Sequence, residues 1–400
     1  MTKSKHIPKR RFKEFELDGA WEQESLGEIV DFSIKTNSLS REKLSLESYE
    51  VQNIHYGDVL IKFDNVLDLQ RDSLPSIIDS KVLDFKESLL QDGDLIFADA
   101  AEDSTVGKAI EVRNIGGKNI VSGLHTIAAR PTQLFAPFYL GYYINSNFYH
   151  DQILPLMQGT KVSSISKSNL QVTKITFPTI DEQKELGKFF QTIDSLITLH
   201  QHKLDKLKNL KKSYLSELFP EEGERVPKRR FPGFEGEWEQ RKLGEILVTV
   251  PYKKFMKEPE SSGRFEVIQQ GYDSIIGFAD GFPCNEFEDV VIFGDHTLSL
   301  YKPQKPFFVG TDGVRILKGK STIVGYYLYA LLERYKPKTE GYKRYYGILT
   351  NVEVAITNNP IEQNKIASLF QKLDESISLQ QQKLDKLKDL KKAYLNELFV

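Results

Sequence analysis

A 40-residue stretch occurs twice in this chain, as DEQKELGKFFQTIDSLITLHQHKLDKLKNLKKSYLSELFP at 181–220 and as IEQNKIASLFQKLDESISLQQQKLDKLKDLKKAYLNELFV at 361–400. At an offset of 180, the two copies are identical at 22 of 40 positions. A shorter pair lies upstream, PKRRFKEFELDGAWEQESLGEIV from Pro8 and PKRRFPGFEGEWEQRKLGEIL from Pro227. The order of short motif, variable segment and long repeat therefore occurs twice. It predicts two similar frames that hold two different inserts.

Within each copy, apolar residues recur at alternating steps of four and three, which is the spacing of a coiled-coil seam. The apolar or aromatic occupants are Leu186, Phe190, Ile193, Ile197, Leu204, Leu207, Tyr214 and Leu218 in the first copy, and Ile366, Phe370, Leu373, Ile377, Leu384, Leu387, Tyr394 and Leu398 in the second. Polar residues break the seam at the same two levels, as His200 and Lys211 in one copy and Gln380 and Lys391 in the other. A flanking leucine is expected to fill each break partly, namely Leu199, Leu210, Leu379 and Leu390.

No proline interrupts residues 181–219 or 361–400, so each copy is predicted to form one helix of about 60 Å. A lone amphipathic helix of that length would expose its apolar stripe, so each copy needs a partner, and the other copy is the nearest one. A pseudo-twofold axis relating the two frames would make the pair antiparallel. Ordinary long helices packed in a helical domain are the alternative.

The variable segments predict a mixed α/β (α+β) fold. Short β-rich runs lie at 56–63, 93–100, 174–178, 264–271, 289–295 and 305–310. Each segment also has an aromatic stretch of helical character, at 136–149 and 321–335, and both stretches contain GYY, which suggests a common fold. The predicted divisions are a first variable domain at 1–179, a helical repeat at 180–222, a second variable domain at 223–359 and a second helical repeat at 360–400.

Composition and motifs argue against several classes of protein. Formal net charge is −2, and Cys284 is the only cysteine, so the chain forms no internal disulfide and no cysteine-built metal site. A lone thiol and an N-terminus with no apolar region indicate a cytoplasmic protein, and no apolar run approaches the roughly 20 residues of a membrane span. The histidines show no metal-ligand spacing, and neither a phosphate-binding glycine motif nor a nucleophile–base arrangement is found. The sequence therefore predicts a binding and organising protein, with no catalytic residue and no metal of its own.

Several polar residues are candidates for contact with nucleic acid. Tyr342, Lys343, Arg344 and Tyr345 place two bases among tyrosines, which suits a phosphate backbone, although a solvated loop is the alternative. Glutamine pairs with adenine in the major groove, and histidine donates or accepts at a base edge. The further candidates in the second segment are Gln269, Gln270, His296 and Arg315. Those in the first segment are Lys108, His125, Arg130, Lys161, Ser163, Ser164 and Lys167.

The repeated frame, with PKRRFxxF and WEQxxLGEI before each variable segment and KKxYLxELF after it, closely resembles the specificity subunit of type I restriction-modification systems. The resemblance covers nearly the whole chain, whereas the variable segments carry almost no family signature. It implies that each variable segment is a target-recognition domain that reads one half of an asymmetric, bipartite site in double-stranded DNA.

The resemblance further implies that the coiled coil sets the spacing of the half-sites and docks two methyltransferase subunits, which restriction (translocase) subunits then join. S-adenosylmethionine, ATP and magnesium are expected only on those partners, with no cofactor in this chain. Three alternatives stay open: a scaffold that binds no DNA, a silent allele shuffled by recombination between the repeats, and a single-chain enzyme with an unrecognised site.

Overall fold

A computed structural model describes residues 6–320 and 323–400, and the chain divides into two compact units. Unit 1 comprises Met1–Leu199 and Leu384–Val400, and unit 2 comprises His200–Lys383. Each unit therefore contains one variable segment and a part of each long repeat. The first five residues of the predicted first domain, and residues 321–322 of the second aromatic stretch, lie outside the described residues.

Unit 1 is a mixed α/β unit built on two sheets with strand orders β2-β11-β7-β9-β5 and β10-β4-β6-β3. Its strands are β1 (Glu22–Ser25), β2 (Val30–Asp31), β3 (Leu44–Ser45), β4 (Gln52–Ile54), β5 (Val66–Asp68), β6 (Ser76–Ile77), β7 (Leu95–Ala98), β8 (Ala100–Ala101), β9 (Ala109–Arg113), β10 (Ile120–Ser122), β11 (Thr126–Pro131), β12 (Ser163–Ser164) and β13 (Lys174–Phe177). Its helices are α1 (Leu26–Ile29), α2 (Tyr139–Ile144), α3 (Asn147–Ile153), α4 (Lys167–Gln171) and the first part of α5 (Ile180–Leu218). Strands β1 and β13 form a further antiparallel pair.

Unit 2 repeats the central part of this topology. Its strands are β14 (Glu239–Lys242), β15 (Leu247–Val250), β16 (Phe265–Ile268), β17 (Ile275–Ala279), β18 (Val290–Gly294), β19 (Leu300–Tyr301), β20 (Phe307–Val309), β21 (Val314–Gly319) and β22 (Glu353–Ile356). Its helices are α6 (Leu243–Ile246), α7 (Gly325–Tyr335), α8 (Tyr346–Thr350) and part of α9 (Pro360–Glu397). The sheet order β15-β21-β18-β19 matches β2-β11-β7-β9 of unit 1, and a three-stranded sheet runs β17-β16-β20.

The common fold suggested by the two GYY motifs is therefore present. Both motifs lie in helices that follow the equivalent strands β11 and β21, and Tyr143 and Tyr327 are fully buried there. The two predicted long helices are also confirmed, as α5 and α9.

One predicted strand was wrong. Residues 56–63 contain a helical turn of π type at Asp58–Lys62 in place of a strand. Val59 is buried on one side of the turn, whereas Ile61 is 89% exposed. The Lys108 ammonium donates to the carbonyls of Leu60 and Phe63 at the end of the turn, at 3.0 and 2.7 Å. A tertiary contact thus overrides the local β propensity of this apolar run.

The start of one long helix packs against the end of the other within each unit. In unit 1 the ring of Phe190 stacks on that of Phe399, with centroids 5.4 Å apart, and Phe189 meets Tyr394 edge to face. In unit 2 the corresponding residue, Phe370, lies against Phe219 at 6.1 Å. The paired helical segments therefore run in opposite directions within each unit.

Every predicted seam position is buried or half-buried, including the polar ones. The Lys391 ammonium in unit 1 lies 2.7 Å from Asp194 and also contacts Asp64 and Asn65. In unit 2, Lys211 lies 2.6 Å from both Asp374 and Glu333, and His200 is hydrogen-bonded to Gln380. The polar seam residues are therefore buried with polar partners. The four flanking leucines, which were expected to fill the breaks, are 41–54% exposed.

An arginine of the short upstream motif forms an ion pair with a glutamate at the start of a long helix in each unit. In unit 1, the Arg11 guanidinium donates to both oxygens of Glu182, at 2.7 and 2.6 Å. In unit 2, Arg230 donates to both oxygens of Glu362, at 2.6 and 3.0 Å. Both glutamates are 1% exposed, so each forms a buried bidentate ion pair at the start of its helix.

The lysine at the second seam break should be needed for stability. Replacing Lys211 with Met would leave the Asp374 and Glu333 carboxylates without their shared cation. We expect the free energy of unfolding of unit 2 to fall by about 3 kcal/mol. Urea unfolding followed by circular dichroism measures this change. Lys208→Met, at an exposed position of the same helix, is the control, and an equal loss in both variants would contradict the proposed importance of the buried pair.

Candidate nucleic-acid interface

In each unit, an aspartate at the end of a central strand is hydrogen-bonded through its main chain to two other loops, so that three loops meet there. In unit 1 this is Asp99, after β7, whose N–H donates to the carbonyl of His125 at 3.1 Å and whose carbonyl accepts from Ile165 at 2.9 Å. In unit 2 it is Asp295, after β18, whose N–H donates to the carbonyl of Gly313 and whose carbonyl accepts from Tyr345, both at 2.7 Å. The loops before β11 and α4 in unit 1 thus correspond to those before β21 and α8 in unit 2.

In unit 1 the aspartate side chain has an imidazole partner. Nδ1 of His125 lies 3.2 Å from Oδ1 of Asp99, and burial raises the pKa of this carboxyl. The ring of Tyr56 meets the imidazole edge to face, with centroids 5.3 Å apart. The ring of His55 also lies beside Tyr56, with centroids 4.6 Å apart, and burial lowers the pKa of this histidine.

The serine pair of the first segment lies beside this aspartate. Ser163 and Ser164 form β12, which pairs with β8, immediately after Asp99. Lys161 precedes β12 on an exposed loop. The structure therefore brings His125, Lys161 and the two serines to one part of unit 1.

In unit 2 the aspartate has a guanidinium partner. The Arg315 guanidinium donates to Oδ2 of Asp295 at 3.1 Å, and the N–H of Tyr346 donates to Oδ1 at 2.8 Å. The side chain of Asp295 is 3% exposed, and Arg315 also packs over the ring of Tyr346 at 5.0 Å. These contacts fix the start of α8 and, with it, the basic tyrosine-rich loop that precedes it.

A stacked histidine and tyrosine form the exposed part of this site. The rings of His296 and Tyr342 are parallel within 4°, with centroids 4.9 Å apart, and Tyr342 is 87% exposed. Oε1 of Gln270 accepts from the N–H of His296 at 3.1 Å. Gly313, with φ of +86°, lies so close that a Cβ there would overlap the Gln270 amide. The positive φ therefore favours glycine at this turn, and any side chain there would also displace the Gln270 amide.

Other candidate residues are engaged inside the protein. Lys108 caps the helical turn described above, and burial lowers its pKa. Arg130 donates twice to Asp94, at 2.8 and 2.7 Å, and Lys167 donates to the carbonyl of Phe32 at 3.0 Å. The described geometry thus gives each of these three cations an internal partner.

Some candidates in the second segment also have internal partners, whereas others are exposed to solvent. Gln269 donates to the carbonyl of Asp273 at 3.0 Å, and Tyr345 is 1% exposed with its hydroxyl bound to the carbonyl of Gly341. Lys343 is paired with Glu340 at the surface, whereas Arg344 is exposed. Arg344 and Tyr342 are therefore the members of this basic loop most accessible to a ligand.

Sequence reasoning missed three residues of the site. Asp99 and Asp295 end the similar strings LIFAD (95–99) and VIFGD (291–295), a short match that would have indicated equivalent strands. Tyr272 lies in the loop after Gln270 and is fully exposed, and the N–H of Gly271 beside it donates to Ser299 at 2.9 Å. A glycine-tyrosine pair after a strand was the only sequence signal for that loop.

Residues 6–320 and 323–400 contain neither a cluster of metal ligands nor a helix that could span a membrane. In this part of the chain, no group of three or more histidine, cysteine, aspartate or glutamate side chains is placed to hold a metal ion. Within the same residues, no helix combines the length and apolar character needed to cross a bilayer.

Comparison with known proteins gives consistent matches. Residues 19–209 match the type I restriction modification DNA specificity domain. The MjaX type I restriction enzyme specificity subunit of Methanocaldococcus jannaschii is 22% identical over 96% of this chain and 93% of its own length. The MjaVIII specificity subunit of the same organism is 21% identical over 71% of this chain and 74% of its own length.

Solved structures share the fold over the whole length. The S subunit of a type I restriction-modification system from M. genitalium superposes with a TM-score of 0.65 at 16% identity, covering 98% of this chain and 99% of that one. A chain from a study of assembly and conformational transition of the type I R-M system gives a TM-score of 0.50 at 17% identity, covering 94% and 96%. The chain is thus similar to type I restriction enzyme specificity subunits over nearly its whole length, matches their DNA specificity domain at residues 19–209, and shares the fold of a solved S subunit.

Proposed function

We propose that each unit reads one half of a bipartite site in double-stranded DNA on behalf of a type I restriction-modification complex. The observation that carries this proposal is the aspartate-tied set of three loops, which occurs in both units on equivalent strands. Loops held on a rigid sheet are suited to presenting side chains to base edges and phosphates.

The two sets of loops present different chemistry, which supports an asymmetric site. Unit 1 offers His125 and Lys161, whereas unit 2 offers His296, Tyr342 and Arg344. Base recognition depends on the pattern of donors and acceptors that side chains present. Two different patterns on one scaffold therefore favour two different half-sites.

We further propose that α5 and α9 form an antiparallel, pseudo-twofold coiled coil between target-recognition domains at 1–179 and 223–359. The opposed helix directions and the buried seam in each unit support this arrangement. Helices of about 60 Å would hold two half-sites somewhat under two turns of B-DNA apart. The spacing between half-sites would then be set by the helices.

The outer faces of the long helices are proposed to dock two methyltransferase subunits. The seam side chains are buried, so a partner would contact the exposed leucines instead. These recur at the 180-residue offset, so that unit 1 carries Leu199 and Leu390 while unit 2 carries Leu379 and Leu210. A surface presented twice suits two copies of one partner.

Restriction subunits would join this cytoplasmic complex, and S-adenosylmethionine, ATP and magnesium would bind to the partners.

Methylome sequencing tests the recognition role directly. Cells that express this chain with its methyltransferase subunit should carry methylation at an asymmetric, bipartite motif, and deletion of this chain should remove it. A strain with the same methyltransferase and another specificity subunit is the control for a competent partner. A competent methyltransferase that yields no such motif with this chain would refute the assignment.

The docking surface has its own test. Leu199→Asp combined with Leu379→Asp should reduce co-purification of the methyltransferase subunit at least tenfold, because each change places a charge in an apolar contact. Leu134→Asp, at an 84% exposed position outside the long helices, is the matched control. Retained 1:2 assembly in the double variant, measured by light scattering, would remove these leucines from the interface.

The basic loop should contribute phosphate contacts. Lys343→Ala with Arg344→Ala should weaken binding of DNA by the assembled complex to a similar degree for all sequences. It should also lower the slope of log K against log salt by about 1 to 2. Lys372→Ala, an exposed change on α9, is the control. An unchanged salt slope would place this loop away from the phosphates.

A further inference from the structure

We propose that Asp99 and Asp295 are positioning residues, each holding the reading loops of its own unit, so that each aspartate governs discrimination at one half-site only. This inference rests on the proposed recognition of DNA. It assigns to two acidic residues a role in specificity that involves no contact with DNA.

The first argument is the convergence of distant loops on one residue. In unit 2 the backbone of Asp295 binds Gly313 and Tyr345, and its side chain binds Arg315 and Tyr346. Three loops that lie far apart in sequence therefore meet at a single position. Fixing a loop before DNA binds removes an entropy cost that binding would otherwise carry.

The second argument is repetition in a different sequence context. Asp99 makes the same two backbone bonds in unit 1, to His125 and Ile165, although the variable segments show little sequence similarity. The partner of the carboxylate differs, since it is an imidazole in unit 1 and a guanidinium in unit 2. The two units thus share the main-chain hydrogen bonds of the aspartate, while the side chains around the aspartate differ.

The third argument concerns charge. A carboxylate at a surface that meets phosphates is unfavourable unless a cation neutralises it. Asp295 is 3% exposed and paired with Arg315, whereas the Asp99 side chain is 30% exposed and lies 3.2 Å from the imidazole of His125. Each carboxylate therefore has a partner within its own set of loops, and burial is nearly complete for Asp295 and partial for Asp99.

The test measures discrimination at each half-site separately. The assembled complex is titrated with a duplex carrying the cognate motif and with two others, each having one base pair changed in the first or the second half. Asp295→Asn keeps the size of the side chain and an acceptor for Tyr346, but loses the ion pair with Arg315. We expect discrimination at the half read by unit 2 to fall at least tenfold, with the other half unchanged. Asp99→Asn should give the mirror result.

The control is Asp289→Asn, at the opposite end of β18, where an exposed carboxylate pairs with Lys318. It should change neither half. Should Asp295→Asn fail to fold, Asp295→Glu keeps the charge and displaces the carboxylate by one methylene, with the same expected result. Equal loss at both halves, or no loss at either, would overturn the inference while leaving the proposed function intact. A wild-type complex that binds no DNA would instead overturn the proposed function itself.

Discussion

A buried lysine on one long helix, paired with an aspartate on the other, is the interaction on which each unit depends. Lys391 meets Asp194 in unit 1, and Lys211 meets Asp374 in unit 2, at positions related by the 180-residue repeat. Burial of such a pair costs desolvation energy, and that cost is offset only when both charges are well partnered. Burial raises the pKa of Asp194, and the ammonium of Lys391 opposes that rise. A polar pair inside an apolar seam suits one helix register and disfavours others.

The same pair also joins the helices to the variable segments. The hydroxyl of Tyr142, in the GYY motif of unit 1, donates to Asp194 at 2.6 Å, and Tyr326 donates to Asp374 at 3.2 Å in unit 2. A further acceptor for each lysine comes from variable sequence, as Asp64 in unit 1 and Glu333 in unit 2. A shared frame can therefore hold two different inserts in the same way, provided that each insert supplies a tyrosine and a carboxylate.

The loops that bond to Asp99 and Asp295 lie at the strand ends of this frame. Rigid strands place Asp99 and Asp295 at equivalent points, and each aspartate gathers loops whose sequences have diverged. The contacts that join the long helices and the exposed residues of the loops thus lie in different parts of the chain. The seam and the ion pairs are repeated, whereas the exposed residues near the aspartates, such as Lys161 and Tyr342, are particular to one unit.

The duplicated frame, the two long helices and the positions of the seam could be predicted from the sequence alone, because a repeat and a heptad spacing are local signals. The sequence also identified His125, His296 and Tyr342 as candidates from residue type and position. It did not show that Lys108 and Arg130 have internal partners, that residues 56–63 contain a helical turn, or that polar pairs close the seam breaks. These points could be learned from the three-dimensional fold but not from the sequence, since each depends on a contact between residues far apart in the chain. The meeting of three loops at one aspartate is of the same kind, because no local pattern records which distant backbone groups a strand end will bind.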